Sequence, residues 1–156
     1  MIYAVSLYKR MNFWYLTDVS AAPVVIAYGI GRIGCLLVGD DYGVPTEMPW
    51  AMSFPDGDPP TLERVHPTQI YDSISMFILF YFLWNMRKKT YAVGFITSLT
   101  FIVLGAQRFL MEFIRTTTPS SIDGLSQAQL ISLFLICAGI VKLLLMLSGR
   151  SEKQAG

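Results

Sequence analysis

Four runs of about twenty residues, at 19–39, 69–86, 92–114 and 128–147, are dominated by apolar side chains, and charge, proline and glycine collect between them. An α-helix needs roughly 20 residues to cross a bilayer, and runs of this length favour helices over barrel strands. The pattern predicts an all-α integral membrane protein of about four transmembrane helices, folded as one domain over residues 1–156. The runs at 69–86 and 128–147 are the plainest; those at 19–39 and 92–114 carry polar residues. The segment 40–66 holds five prolines and two glycines, too much punctuation for regular helix. It reads as a long loop forming a lid or rim rather than a linker.

Charge orients these runs. Lys9 and Arg10 precede the first, Arg87, Lys88 and Lys89 follow the second, and Arg150 and Lys153 follow the fourth. The 40–66 loop instead carries Asp40, Asp41, Glu47, Asp56, Asp58 and Glu63 against a single Arg64, and the link at 116–124 has no lysine or arginine. Basic segments stay on the cytoplasmic side of a membrane, so both termini are expected inside and the two non-basic loops outside. Composition agrees: 53% of residues are hydrophobic and 15% charged, mean hydropathy is +0.48, and soluble domains carry nearer a quarter charged residues. A net charge of +1 with no basic face excludes a nucleic-acid binder. Cys35 and Cys137 lie inside apolar runs and are expected to be free, buried thiols. The opening MIYAVSLYKRM lacks the order of a secretory leader.

The stretch YGIGRIGCLLVGDDY contains G-x-G-x-x-G, the spacing of a dinucleotide-binding turn. Such a turn needs a helix opening at the third glycine and a second strand ending in an acidic residue. Here four apolar residues follow Gly34 before GDDYGVP ends the run, and the region where a strand is required reads PDGDPP. As a membrane helix the same stretch places Ala27, Gly31, Cys35 and Gly39 on one stripe of small residues, suited to close helix packing. Gly29 and Gly34 add the expectation of a kink or unwound turn. Arg32 is the costly residue, at about 2.5–3.5 kcal/mol near the middle of a membrane helix. It is expected to face the bundle interior and meet an anion, with snorkelling to the interface as the competing account.

The third run contains GAQRFLMEFIR, in which Arg108 and Glu112 share a helix face and Arg115 follows. Arg32 and Arg108 each lie about seven residues, or roughly 10 Å, from the outer ends of their runs, so Arg32, Arg108 and Glu112 fall at similar depth. The competing account of the pair is an intrahelical salt bridge that lowers the cost of insertion; it leaves Arg32 without a partner. Two arginines and one carboxylate leave surplus positive charge suited to a phosphate. His66, the only histidine, opens the second run in RVHPTQIYD, with Tyr71 and Asp72 about one turn further in. A structural hydrogen bond and a catalytic role both suit it. The unaided reading is a membrane protein with a cationic polar pocket in the outer leaflet, and a phospholipid head group as its occupant. A small transporter would need a polar path to the cytoplasmic side, where Lys142 is the fourth run's one candidate.

In order along residues 20–147, GRIGCLLVGDDYG, VHPTQIYD, RFLMEFIR and LSQAQLISL resemble the signatures of the prolipoprotein diacylglyceryl transferase family. The resemblance implies a multi-pass enzyme of the bacterial inner membrane that needs no cofactor or metal. It would move diacylglyceryl from phosphatidylglycerol to the cysteine thiol of a prolipoprotein signal peptide, forming a thioether and releasing glycerol phosphate. By resemblance Arg32 binds the lipid head group with Asp40 and Tyr71 beside it, Arg108 and Glu112 hold and polarise it, and His66 stands in as the base. Many members of the family have asparagine where Cys35 stands and glutamate where Asp40 stands. The family also has more membrane helices than the four found here, and its front part contributes a tyrosine and a histidine to catalysis. A truncated or non-catalytic relative that binds a phospholipid head group is therefore the alternative expectation.

Overall fold

Asn12 starts the first long helix earlier than the apolar run itself begins. Its side-chain oxygen accepts the Trp14 N–H at 3.0 Å, satisfying one of the donors that a helix start leaves open. In the computed structural model, which describes residues 2–115 and 126–154, a short helix α1 (Ile2–Lys9) precedes this one, α2 (Phe13–Val38). The link at 116–124 expected to face outward lies outside the described residues. Gly39 ends α2 in the left-handed conformation (φ 76°), its N–H returning to the Cys35 carbonyl at 2.9 Å. A Cβ here would stand 2.9 Å from the Gly57 Cα, so the turn and the packing both require glycine.

Two expectations for α2 fail. It is continuous through Gly29 and Gly34, with no unwound turn. The stripe Ala27–Gly31–Cys35–Gly39 is not the packing face either: Ala27 and Gly31 are exposed, and a side chain at Gly31 would meet no atom within 4 Å among the described residues. The buried face runs instead through Ala22, Val25, Gly29 and Arg32. Both stripes obey helical spacing; the partner helix decides between them. That partner is α3 (Thr68–Met86), whose Met76 and Phe77 press on Gly29 and whose Ser73 hydroxyl donates to the Gly29 carbonyl at 3.0 Å. Ala21, Ala22, Val25, Met76, Leu79 and Leu83 form the apolar core between the two helices.

The 40–66 segment is not irregular throughout, so the chain is not wholly helical. Strands β1 (Met52–Phe54) and β2 (Thr61–Val65) pair antiparallel, Met52 opposite Val65 and Phe54 opposite Thr61. The Arg64 guanidinium ties the approach together by donating to the carbonyls of Pro49 at 3.2 Å and Ala51 at 3.1 Å. Tyr42 stacks on Phe54 with ring centroids 5.6 Å apart. Proline and glycine spacing identified the turns here, but three-residue and five-residue strands are too short to leave a clear alternation.

Helix α4 (Phe95–Met111) runs alongside α2. At the basic end of the bundle the Asp18 carboxylate receives the N–H groups of Gly94 and Thr97 at 2.6 and 2.7 Å. An acidic side chain of one helix thereby caps the positive end of another. Lys142, the transporter candidate, sits 3.9 Å above the Trp14 ring at this same end. Helix α5 (Gln127–Gln154) packs against α4 through a reciprocal contact. Gly105 faces Ile136 and the Ser132 carbonyl, while Gly139 faces Ile102 and the Ser98 carbonyl. Each glycine admits the other helix's isoleucine, the close approach that membrane helices favour.

Among the described residues two helices, Phe13–Val38 and Gln127–Ser148, are long and apolar enough to cross a bilayer. Helix α4 has 17 residues, and α3 spends its first turns on Gln69, Asp72 and Ser73. The outward faces are apolar, with Ile30, Leu37, Ile78, Phe82, Phe134 and Leu145 exposed, while Gln69, Asp72, Ser98 and Ser132 are buried. That inversion of the soluble pattern suits lipid as the surrounding solvent. Cys137 is exposed and Cys35 half-buried, both free; Cys137 escapes the expected burial because α5 turns that apolar face outward. Gly31→Ala is predicted to stabilise the fold by about 0.5–1 kcal/mol, through helix propensity alone. Gly139→Ala is predicted to destabilise it by about 1–3 kcal/mol, through overpacking against Ile102 and Ser98. Unfolding midpoints in a denaturing-detergent titration check both.

Candidate functional site

Arg32 lies on the buried face of α2 and is 6% exposed. A guanidinium so placed must be paired, and the chain supplies two carboxylates. Its Nε stands 2.8 Å from Asp72 Oδ2 on α3, as an ion pair rather than an aligned hydrogen bond. Its Nη1 donates to Asp41 Oδ2 at 3.0 Å. Asp41 adopts a left-handed backbone conformation (φ 61°) two residues past the helix cap, so the chain turns back and hangs that carboxylate over the end of α2. Aspartate tolerates this conformation better than most residues.

Asp72 is 1% exposed and joins three helices. One oxygen faces Arg32, and the other accepts a hydrogen bond from Gln107 Nε2 of α4 at 2.5 Å. The first turns of α3 complete the frame: Thr68 donates its hydroxyl to the Asp41 carbonyl at 2.6 Å, and Gln69 donates to the Asp40 carbonyl. These bonds explain why an apolar run opens with polar residues. Arg115, just past α4, pairs with the second oxygen of Asp41. Burial, and then the neighbouring Arg32 guanidinium, hold Arg115 below the ordinary arginine value. Arg108 and Glu112 form the expected pair at 3.3 Å.

The structure therefore brings Arg32 and Arg115 together on Asp41 and sets Arg108 in one cavity lining with Tyr28, which lies one turn before Arg32 on α2. Asp40 is half-buried beside Arg115, and its Oδ1 has no hydrogen-bond partner among the described residues. His66 and Tyr71 form a separate rim group. His66 Nδ1 is 3.1 Å from the Tyr71 hydroxyl, which also accepts the Trp50 indole N–H at 2.7 Å. Neither of these two contacts involves an arginine. Cys35 Sγ lies 3.6 Å from Arg32 Nη1 and within 4.8 Å of carboxylate oxygens of Asp40 and Asp41. This thiol and acidic pair is faced by two arginines.

Sequence reasoning found Arg32, Arg108 and Glu112 but left Arg32 without a partner; Asp41 and Asp72 correct that. They also correct the inferred surplus of positive charge. Arg32, Arg108 and Arg115 pair with Asp41, Asp72 and Glu112, and Asp40 beside Arg115 adds a fourth carboxylate. What remains for an anion is unspent hydrogen-bonding capacity. Arg32 Nη2, Arg108 Nη1 and Arg115 Nε are buried without a hydrogen-bond partner among the described residues. Below them a cavity of about 290 Å³ is lined by Val24, Val25, Tyr28, Leu104, Gln107 and Arg108.

An apolar-surfaced helical bundle with an arginine–carboxylate cluster inside and a β-hairpin beside it defines a membrane protein with an internal polar site. Its family is equally plain: the chain belongs to the prolipoprotein diacylglyceryl transferases, which residues 1–145 match. It is similar to the phosphatidylglycerol–prolipoprotein diacylglyceryl transferase of Clostridium tetani, 38% identical over 141 residues, covering 88% of this chain and 57% of that protein. The protein of the same name from Desulfotalea psychrophila is 35% identical over 142 residues, covering 85% and 51%. That from Actinobacillus pleuropneumoniae is 34% identical over 155 residues, covering 97% and 56%. The chain thus spans about half the length of the relatives it matches.

Asp72→Ala is predicted to cost about 3–5 kcal/mol, because it strands a buried guanidinium. Asp72→Asn, which keeps an acceptor for Gln107, is predicted to cost less. Detergent unfolding midpoints of the two variants measure the difference.

Proposed function

We propose that this chain acts in the transfer of diacylglyceryl from phosphatidylglycerol to the cysteine thiol of a prolipoprotein signal peptide, in the bacterial inner membrane. The observation that carries this reading is the convergence of three arginines with unspent donors above an apolar cavity. A phosphodiester needs acceptor-hungry donors at one end and greasy space at the other; a lipid head group joined to its glycerol supplies both partners.

In this reading the thiol loses its proton and attacks a glycerol carbon. The new C–S bond replaces the C–O bond to phosphate, and the bonding electrons leave on glycerol phosphate. Arg32, Arg108 and Arg115 stabilise the charge that grows on that leaving group, which is where fixed donors lower a barrier most. Glu112 orients Arg108. Asp40, at the rim of the cluster, contacts the head group. His66 takes the thiol proton and Tyr71 orients its ring through their 3.1 Å contact. Four helices cross the membrane, with both termini cytoplasmic and the hairpin segment 40–66 outside. A second reading, head-group binding without turnover, is favoured by one observation: the His66 ring is engaged at the rim, outside the arginine cluster.

Transfer of labelled diacylglyceryl from phosphatidylglycerol to a lipobox peptide, in membranes containing the chain, tests the main reading. Arg32→Ala is expected to lower the rate at least ~100-fold, the effect of removing one preorganised donor. Absence of transfer by a correctly inserted chain that still retains phosphatidylglycerol would leave the second reading standing. Orientation has its own test in whole cells, with Cys35 and Cys137 replaced by serine. A membrane-impermeant maleimide is predicted to label Asp56→Cys and not Lys88→Cys.

A further inference from the structure

The Asp41 carboxylate bridges two arginines in the way a phosphate does, one oxygen on Arg32 Nη1 and the other on Arg115. We propose that Asp41 is a resident anion: it holds the position that a lipid phosphate takes, and a phosphate binds by displacing it. The inference rests on the head-group reading above and specifies how that site is vacated and refilled.

Burial singles out Asp41 among the carboxylates that meet Arg32. The Asp72 side chain is 1% exposed and the Asp41 side chain 40%. Asp72 is also held by Gln107, and releasing it would strand a charge inside the bundle. Asp41 can swing its charge into water at little cost, while its backbone stays anchored by the Thr68 hydroxyl on its carbonyl at 2.6 Å. The side chains of Arg32 and Arg115 are each 8% exposed, so they keep their positions when the carboxylate leaves. Each also holds an unspent nitrogen, Arg32 Nη2 and Arg115 Nε. A carboxylate offers two oxygens to this pair; a phosphate brings further acceptor oxygens for those nitrogens.

The exchange also matches the charge balance of the cluster. With Asp41 in place the arginines are neutralised without lipid, which offsets the repulsion between two buried guanidiniums. With Asp41 displaced, the phosphate takes over the same neutralising role. After the leaving group forms, return of Asp41 competes with glycerol phosphate for the same two arginines and favours its release.

The test compares dihexanoyl phosphatidylglycerol and inorganic phosphate binding to the full chain in detergent by titration calorimetry. Asp41→Gly and Asp41→Asn are the informative variants, because both residues accept the left-handed backbone that residue 41 adopts. Both are expected to bind the lipid roughly tenfold more tightly than the parent, the scale of one lost competing charge pair. Asp41→Glu, which keeps the competing anion, is expected to gain nothing. Unchanged or weaker lipid binding in both informative variants, with Arg32→Ala still abolishing it, overturns the displacement and leaves the head-group reading intact. A gain for inorganic phosphate alone overturns the assignment to a lipid phosphate. Lipid binding that ignores Arg32→Ala overturns the head-group reading and this inference together.

Discussion

The bundle turns on the carboxylate of Asp72. Buried on α3, it draws Arg32 of α2 to one oxygen and Gln107 of α4 to the other. Without it, α2 would carry an uncompensated guanidinium into an apolar interior, and three helices would lose the polar contact that fixes their relative positions. Burying one ion pair is rarely a net gain over apolar packing. Here the pair also determines where Arg32 points, and the arrangement of the site follows from that direction.

The site that results has no surplus of positive charge yet is rich in donors. Each arginine spends part of its fork on a carboxylate and retains a nitrogen with no hydrogen-bond partner among the described residues. An arrangement like this binds an anion by exchange, so affinity depends on which resident acceptor leaves most easily. The graded exposure of Asp41 and Asp72 supplies that order. The apolar cavity beneath Arg108 shares Val24 and Leu104 with a second cavity of about 200 Å³ nearer Thr17 and Thr97. Apolar space therefore continues away from the cluster along α2 and α4.

Much of this was legible in the residues, and the limits were physical. Apolar runs located the long helices because lipid imposes length. Arg108 and Glu112 could be paired because helical spacing makes them neighbours. Asp72 and Gln107 could not be joined to Arg32, since their contacts cross between helices and no local periodicity encodes them. The stripe through Gly31 failed for the same reason: helical spacing permits several faces, and Met76 and Phe77 of α3 choose the one through Gly29. The acidic residues of the 40–66 segment read as a feature of the loop as a whole, which hid the fact that Asp41 belongs to the arginine cluster. The Asn12 cap moved the start of α2 outside its apolar run altogether.

The central claim is that Arg32 makes a direct contact with a lipid phosphate. Solid-state NMR can read it as through-space coupling between isotope-labelled arginine side-chain nitrogens and the phosphorus of phosphatidylglycerol around the full chain in bilayers. The account predicts coupling at hydrogen-bond range that weakens in Arg32→Lys, which loses the Arg32 share and keeps that of the other arginines, because an ammonium on a shorter, unforked side chain cannot reproduce the contact. Coupling of equal strength in Arg32→Lys, or none in the parent chain with lipid bound, would contradict it.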